Sequence, residues 1–468
     1  MAEITGSGTI FGTPGDDLIV ADSGDSDDIL IALAGADTMI GGDGDDTYFV
    51  DDFGDVITEE SNQGNDFVII SDSDKLGNGY TLGDNLENVR GGNRINALRG
   101  NALDNRIFGG LVYAEGGAGN DQIRPGSKTT LVNGGEGDDL YIDLTPTNTV
   151  FDSGGIDTVR IGGDDFLGSN TTSYTLPNSI ENLILWYDAN EGIGNNKNNE
   201  ITANAGIDST LQGLVGDDIL IGNTGNDILI GGNNNDRLEG GDGDDRLVGD
   251  NDTGFGIQGN DILSGGAGQD TLIGEGGNDA LDGGTENDSL NGGNGDDILL
   301  GGEGDDILEG GSGNDMIEGN NGLDTLIGGS GNDNLAGGEG DDELFGSFGD
   351  DILVGGDGND TLIGYEEGAR KTGDIDTFTG GTGEDLFIIG ETGSGVYYSR
   401  DGQADITDFE AGVDQIQLAD RGAGLNDYDF INAGGNVINI VFSFRPSDII
   451  ASVDIASGTF NPLVDIVF

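Results

Sequence analysis

The sequence predicts an all-β fold, a parallel solenoid whose turns hold cations and whose end is closed by a β-rich C-terminal cap. Three observations predict it. From Gly256 to Ile363 one nine-residue pattern recurs twelve times without a slip, and four more copies start at Gly213. Across these sixteen copies position one is always Gly, position six always Asp, and position eight Leu fifteen times and Ile once. The chain also carries 90 Asp and Glu against 16 Lys and Arg, a formal net charge of −74. Charge that dense opposes compaction, and low hydrophobicity with high charge ordinarily means disorder. A disordered linker has no reason to fix Leu at every ninth position. The chain therefore reads as conditionally folded, ordered once cations are supplied.

Written G-G-x-G-x-D-x-U-x, with U apolar, the unit gives most positions a task. Gly at positions one and four lets the backbone reach positive φ and turn tightly. Position four departs from Gly at Asn234, which such a turn tolerates, and at Glu286, where a distorted turn is expected. The x-U-x part is a three-residue strand whose alternation sends U inward and its neighbours outward. Leu220, Leu229, Leu238 and Leu247 point inward, as do Leu263 through Leu362 at nine-residue steps, with Ile317 the one exception to Leu. One repeat buries nothing alone, whereas stacked coils bury a continuous ladder.

Position six carries the chemistry. With two repeats per turn, each loop lies over the loop two repeats on, so Asp297 falls over Asp315 and Asp306 over Asp324. Carboxylates stacked at the strand spacing of about 4.8 Å need a counterion. Calcium takes roughly 6–8 oxygen ligands in flexible geometry, backbone carbonyls included, and magnesium demands a tighter octahedron. A lone Asp beside Gly is ordinarily a turn cap; sixteen in register point to metal. The candidate ligands are Asp218, Asp227, Asp236, Asp245, Asp261, Asp270, Asp279, Asp288, Asp297, Asp306, Asp315, Asp324, Asp333, Asp342, Asp351 and Asp360. Degenerate copies add Asp17, Asp37, Asp46, Asp121 and Asp139 before the array and Asp376 and Asp385 after it. Position five is Asp or Asn in fourteen copies, which suits hydrogen bonding within the loops.

The repeat resembles the RTX (repeats-in-toxin, hemolysin-type) calcium-binding nonapeptide of bacterial type I secretion substrates, clearly so over residues 213–388. The resemblance implies a parallel β-roll, or β-helix solenoid, with several Ca2+ ions held between successive loops. It implies ligation by the position-six Asp side chains and by carbonyls of the Gly-rich turns.

The array is interrupted by seven-residue insertions at 249–255 and 364–370, which read as loops leaving one edge. Residues 1–212 read as a degenerate continuation with an internal duplication, about 41–109 and 134–205. In it GGDGDDTYFVDD precedes YTLGDNLENV, and GGEGDDLYIDL precedes YTLPNSIENL. The stretches GNDFVIIS and GIDTVRIG look hairpin-like. Trp186, the single Trp, is expected to pack or cap. Residues 389–468, with the strand-like runs ADITDF, DQIQLAD and NVINIVFSF, read as the cap. Phe378 and Phe387 at position eight suit a flare into it. The terminal VDIVF is similar to the end of some type I secretion substrates.

Composition excludes several functions. There is no Cys and no His, so disulfides, thiolate or imidazole metal sites and Ser-His-Asp catalysis are out. The negative charge opposes nucleic acid, and no apolar stretch approaches the roughly 18 residues of a membrane span. The N-terminus carries no Sec signal pattern. The expected role is a secreted or cell-surface calcium-binding protein, structural or adhesive and not an enzyme. It would leave by type I secretion machinery and meet a cell-surface polysaccharide or other surface component. The alternative is an RTX-type extracellular enzyme using paired carboxylates on polysaccharide. Pore formation is disfavoured, because no long amphipathic apolar region is present.

Overall fold

The computed structural model describes all residues except 1, 23, 25, 62, 72–78, 93–94, 110–111, 127–128, 163–171, 251–257, 365–373, 390–402, 419–427, 435, 443–444, 463–464 and 468. Every element among them is a β-strand or a turn, and no helix is long and apolar enough to cross a membrane. The chain forms two compact units, Met1–Asn204 and Ala205–Phe468.

In the second unit every repeat contributes one strand, and each strand pairs in parallel with the strand two repeats on. Ile298–Glu303 lies between Ala280–Thr285 and Met316–Asn321 on one face, and Ile307–Ser312 lies between Ser289–Asn294 and Thr325–Ser330 on the other. Two repeats thus make one turn, as the spacing requires. The strands are six residues long. They are longer than the expected three because pairing resumes beyond position one, at positions two and three of the next repeat. Position eight forms the core: Leu220 through Leu362 are buried on both faces.

The insertions leave the register intact. Asp236 bonds to Asp261 and Asp351 to Asp376 across 25 residues instead of 18. Gly249 and Asp250 remain in the first and second positions of a repeat, Asp250 opposite Gly232. The first insertion therefore follows Asp250 and not Val248. The loops expected at 249–255 and 364–370 fall mainly outside the described residues.

Repeat geometry runs past residue 388. Gln403–Glu410 pairs in parallel with Ile375–Thr382 and with part of Arg445–Ser457, and Gln415–Gln417 pairs with Ile466–Val467. What caps the unit is the antiparallel pairing of Tyr428–Gly434, Val437–Phe442 and Arg445–Ser457. The larger position-eight residues expected there lie in the core: Phe378, Phe387 and Phe409 are fully buried, with neighbouring ring centroids 6.2–6.3 Å apart. The Phe460 ring extends the stack.

The first unit uses the same parallel coil. One face is an unbroken ladder of eleven strands from Thr9–Phe11 to Glu200–Thr202. The opposite face falls into separate sheets that break after Thr58 and after Phe151, equivalent points of the duplication. GNDFVIIS and GIDTVRIG are not hairpins. Phe67–Ile70 lies parallel to Thr47–Val50, and Thr158–Ile161 parallel to Leu140–Ile142. Both stretches carry a position-six acid and an apolar position eight, Asp66 with Val68 and Asp157 with Val159, like the other coils. Trp186 is 51% exposed beneath the Arg160 guanidinium, so it does not pack in the core.

Candidate metal centres

Positive φ falls at positions two and four, not at one and four as the consensus suggested. Gly302 and Gly304 show the pattern, with φ of 119° and 142°. At position two the non-Gly residues Leu214, Asn223, Glu275, Asn320 and Ser347 take φ of 73–83°, and at position four Asn234 takes 78° and Glu286 73°. Glu286 thus occupies the distorted turn expected of it. Its carboxylate accepts the Gly268 N–H one turn back at 3.0 Å.

Position one must be Gly for a different reason, which is space. A Cβ on Gly301 would lie 2.5 Å from Asp306 Oδ2 and 2.8 Å from the Gly319 carbonyl oxygen. The missing side chain leaves a cradle between a carboxylate oxygen and a carbonyl of the next turn. The same arrangement recurs at Gly283 and Gly328.

All 23 predicted Asp ligands are at most 3% exposed. In the second unit they stack in two columns. In one, each backbone N–H donates to Oδ1 of the next Asp, from Asp218 through Asp236, Asp261, Asp279, Asp297, Asp315, Asp333 and Asp351 to Asp376. The other runs from Asp227 through Asp245, Asp270, Asp288, Asp306, Asp324, Asp342 and Asp360 to Asp385. Position five makes a second ladder in the opposite sense. Asp296 N–H donates back to Asn278 Oδ1 and Asn314 N–H to Asp296 Oδ1, the hydrogen-bonding role expected of it.

These bonds use one oxygen of each carboxylate. The Oδ2 atoms of Asp236, Asp261, Asp279, Asp297, Asp306, Asp315, Asp324, Asp342 and Asp360 are buried with no hydrogen-bond partner. Buried carboxylates without compensation are costly. Burial accordingly pushes the carboxyls upward, Asp315, Asp324 and Asp360 to about 7, Asp279 to about 8 and Asp236 to about 9, against the backbone N–H bonds that pull them down. Among the described residues the ion pairs of Lys and Arg involve none of these columns. The donor set is hard oxygen throughout, which suits calcium.

In the first unit Asp121 and Asp139 stack the same way, with Asp121 N–H donating to Asp139 Oδ1 at 2.7 Å. Asp46 belongs to the same face. Asp37 sits on the opposite face, its Oδ1 accepting the Asp17 N–H and its Oδ2 unpartnered. Asp17 stands apart. Its Oδ2 accepts the Thr13 Oγ1–H and N–H at 2.7 and 2.5 Å, bonds that hold its carboxyl below the usual range.

Sequence reasoning missed several members of the columns. Asp28, Asp66 and Asp157 occupy position six in the first unit, in copies lacking the Gly-Gly start. Glu87 and Glu181 take the place after Asp66 and Asp157. Asp414 follows Asp385, and Asp465 of the terminal VDIVF accepts the Gly412 N–H.

On the eleven-strand face two rungs carry Asn at position six. Asn105 Oδ1 accepts the Asn101 N–H while its Nδ2 donates to the Leu86 carbonyl and to Asn101 Oδ1. Asn199 repeats this with Asn195 and the Ile180 carbonyl. An amide supplies a donor that a carboxylate lacks, so these rungs satisfy their turn carbonyls without an ion.

A family model for the RTX calcium-binding nonapeptide repeat matches the chain in overlapping copies over residues 5–57 and 193–362. No curated protein matches the chain. Over these residues the chain carries the RTX calcium-binding nonapeptide repeat, wound into a parallel β-roll.

Proposed function

We propose that this is a secreted or cell-surface protein, structural or adhesive in role and not enzymatic, whose array folds when it meets extracellular calcium. The observation that carries the reading is the row of buried, unpartnered Oδ2 atoms beside position-one glycines. Calcium binding to the folded state alone stabilises it by mass action, about 2.7 kcal/mol per site at a hundredfold excess over Kd. In a calcium-poor cytosol the polyanion stays extended and exportable through a type I secretion system; outside, its columns are neutralised. Position-six Asp side chains and turn carbonyls such as that of Gly319 would hold the ions. Extracellular calcium modules bind at about 10⁻⁴–10⁻³ M, the range expected of the array. A surface polysaccharide is the partner class to test first.

Circular dichroism of the full chain with calcium and with excess chelator tests this. The expected result is a large loss of β signal on chelation, restored by calcium. Unchanged β-content in chelator would sink it. A screen against polysaccharide, lipid and casein substrates is expected to show no turnover.

A further inference from the structure

The internal duplication places a third carboxylate, buried in one copy and half-buried in the other, where the array has only a glycine carbonyl. In the array the residue eighteen after position one is another Gly, whose carbonyl faces the cradle. After Gly41 that residue is Glu59, and after Gly134 it is Asp152. Pairing of Thr38–Ile40 with Val56–Thr58, and of Leu131–Glu136 with Thr149–Phe151, sets this register. Asp46, Glu59 and Asp66 then offer carboxylate oxygens within 4.8 Å of one another, as do Asp139, Asp152 and Asp157.

The two trios share more than charge. Asp46 is fully buried, and Asp66, Asp157 and Asp139 are 1–2% exposed. Asp46 Oδ2, Glu59 Oε2 and Asp139 Oδ2 are buried with no partner. Position eight, Leu throughout most of the array, is Tyr48 in one copy and Tyr141 in the other, both fully buried. The Tyr48 hydroxyl donates to Glu59, and the Tyr141 hydroxyl accepts the Gly134 N–H at 2.8 Å. Among the described residues no Lys or Arg pairs with any of the six acids.

We propose that these are two cation sites of a class distinct from the nonapeptide sites. Each takes a hard multivalent ion on three carboxylates and fills before the array. Ligand charge tunes calcium affinity over orders of magnitude, and a third carboxylate favours higher ionic charge. The inference deepens the calcium reading and rests on it, but names ligands, Glu59 and Asp152, that lie outside the repeat consensus. The first unit would then be loaded at cation levels that leave the array empty.

Terbium, a trivalent calcium mimic sensitised by nearby tyrosine, is the probe. Residues 213–363 contain neither Tyr nor Trp, so sensitised emission there is weak. Titrating the metal-stripped full chain should give two equivalents of Tyr-sensitised emission at least tenfold tighter than the later phase that restores β signal. Glu59→Gln and Asp152→Asn should each remove one tight equivalent and leave the later phase intact. Glu59→Asp and Asp152→Glu should keep it, which separates lost ligation from lost folding. A double variant that retains both tight equivalents, or a wild type with one weak phase only, would overturn the proposal. Loss of the later calcium response alone would instead count against the array reading.

Discussion

The regular array and the N-terminal unit are wound on one frame and balance their charge differently. In the array every turn edge presents an Asp whose Oδ1 is committed to the ladder and, at residues such as Asp297 and Asp306, an Oδ2 with no partner. In the first unit the same positions diversify into Asn105 and Asn199, Glu87 and Glu181, and the trios at Asp46 and Asp139. The difference teaches that the coil itself needs only the ladder and the apolar position eight. On the proposed reading it is the carboxylate that calls for an ion, and an amide at the same place removes that need.

The largest expected effect of this contrast is on chelation. The array should lose its β structure in excess chelator, while the coils around Asn105 and Asn199 lose least, as seen by limited proteolysis of chelated protein. Cleavage confined to the first unit would break the contrast.

Next in size is the response to acid without calcium. Burial raises the array carboxyls when folded, Asp315 and Asp324 to about 7, against 3.8 as the ordinary value. Between those values the folded state binds more protons than the unfolded one. Stability is therefore fully present below about pH 4 and falls as pH rises toward 7. Chelated protein should gain β signal on acidification from pH 8 to 5, since protons stand in for the ion. A loss on acidification would contradict this.

Smaller still is the effect of Leu308→Ala, which opens a cavity in the fully buried ladder. It should cost about 2–5 kcal/mol in calcium-loaded denaturation, and the calcium midpoint for folding should rise with it. Asn199→Asp should have the smallest effect. It removes the amide donor to the Ile180 carbonyl and should cost about 1–3 kcal/mol in chelator, partly recovered by calcium. Equal losses in both conditions would show that the rung was not made ion-independent by its amide.

The array was legible because two signals repeat at one period. Asp at position six and Leu at position eight fix the columns, the core and even the resumption of register after 25 residues. The glycines were harder. Position one looks like a turn residue in the consensus, yet Gly301 is there because a Cβ would strike Asp306 Oδ2, a clash that only stacking creates. Asp28, Asp66 and Asp157 escaped because their copies lack the leading Gly pair. Glu59 and Asp152 had no local signature, since their place follows only from strand pairing with the turn eighteen residues earlier, at Gly41 and Gly134. Asp465 read as part of a terminal address, and its repeat role shows only in its bond to Gly412.

Hydrogen exchange read peptide by peptide tests the central claim most directly, that array order depends on cations while the Asn rungs do not. In chelator, amides of residues 213–363 should exchange freely and those of Asn101–Asn105 and Asn195–Asn199 should stay protected. With calcium both regions should be protected. An array that stays protected in chelator, or Asn rungs that open with it, would contradict the account.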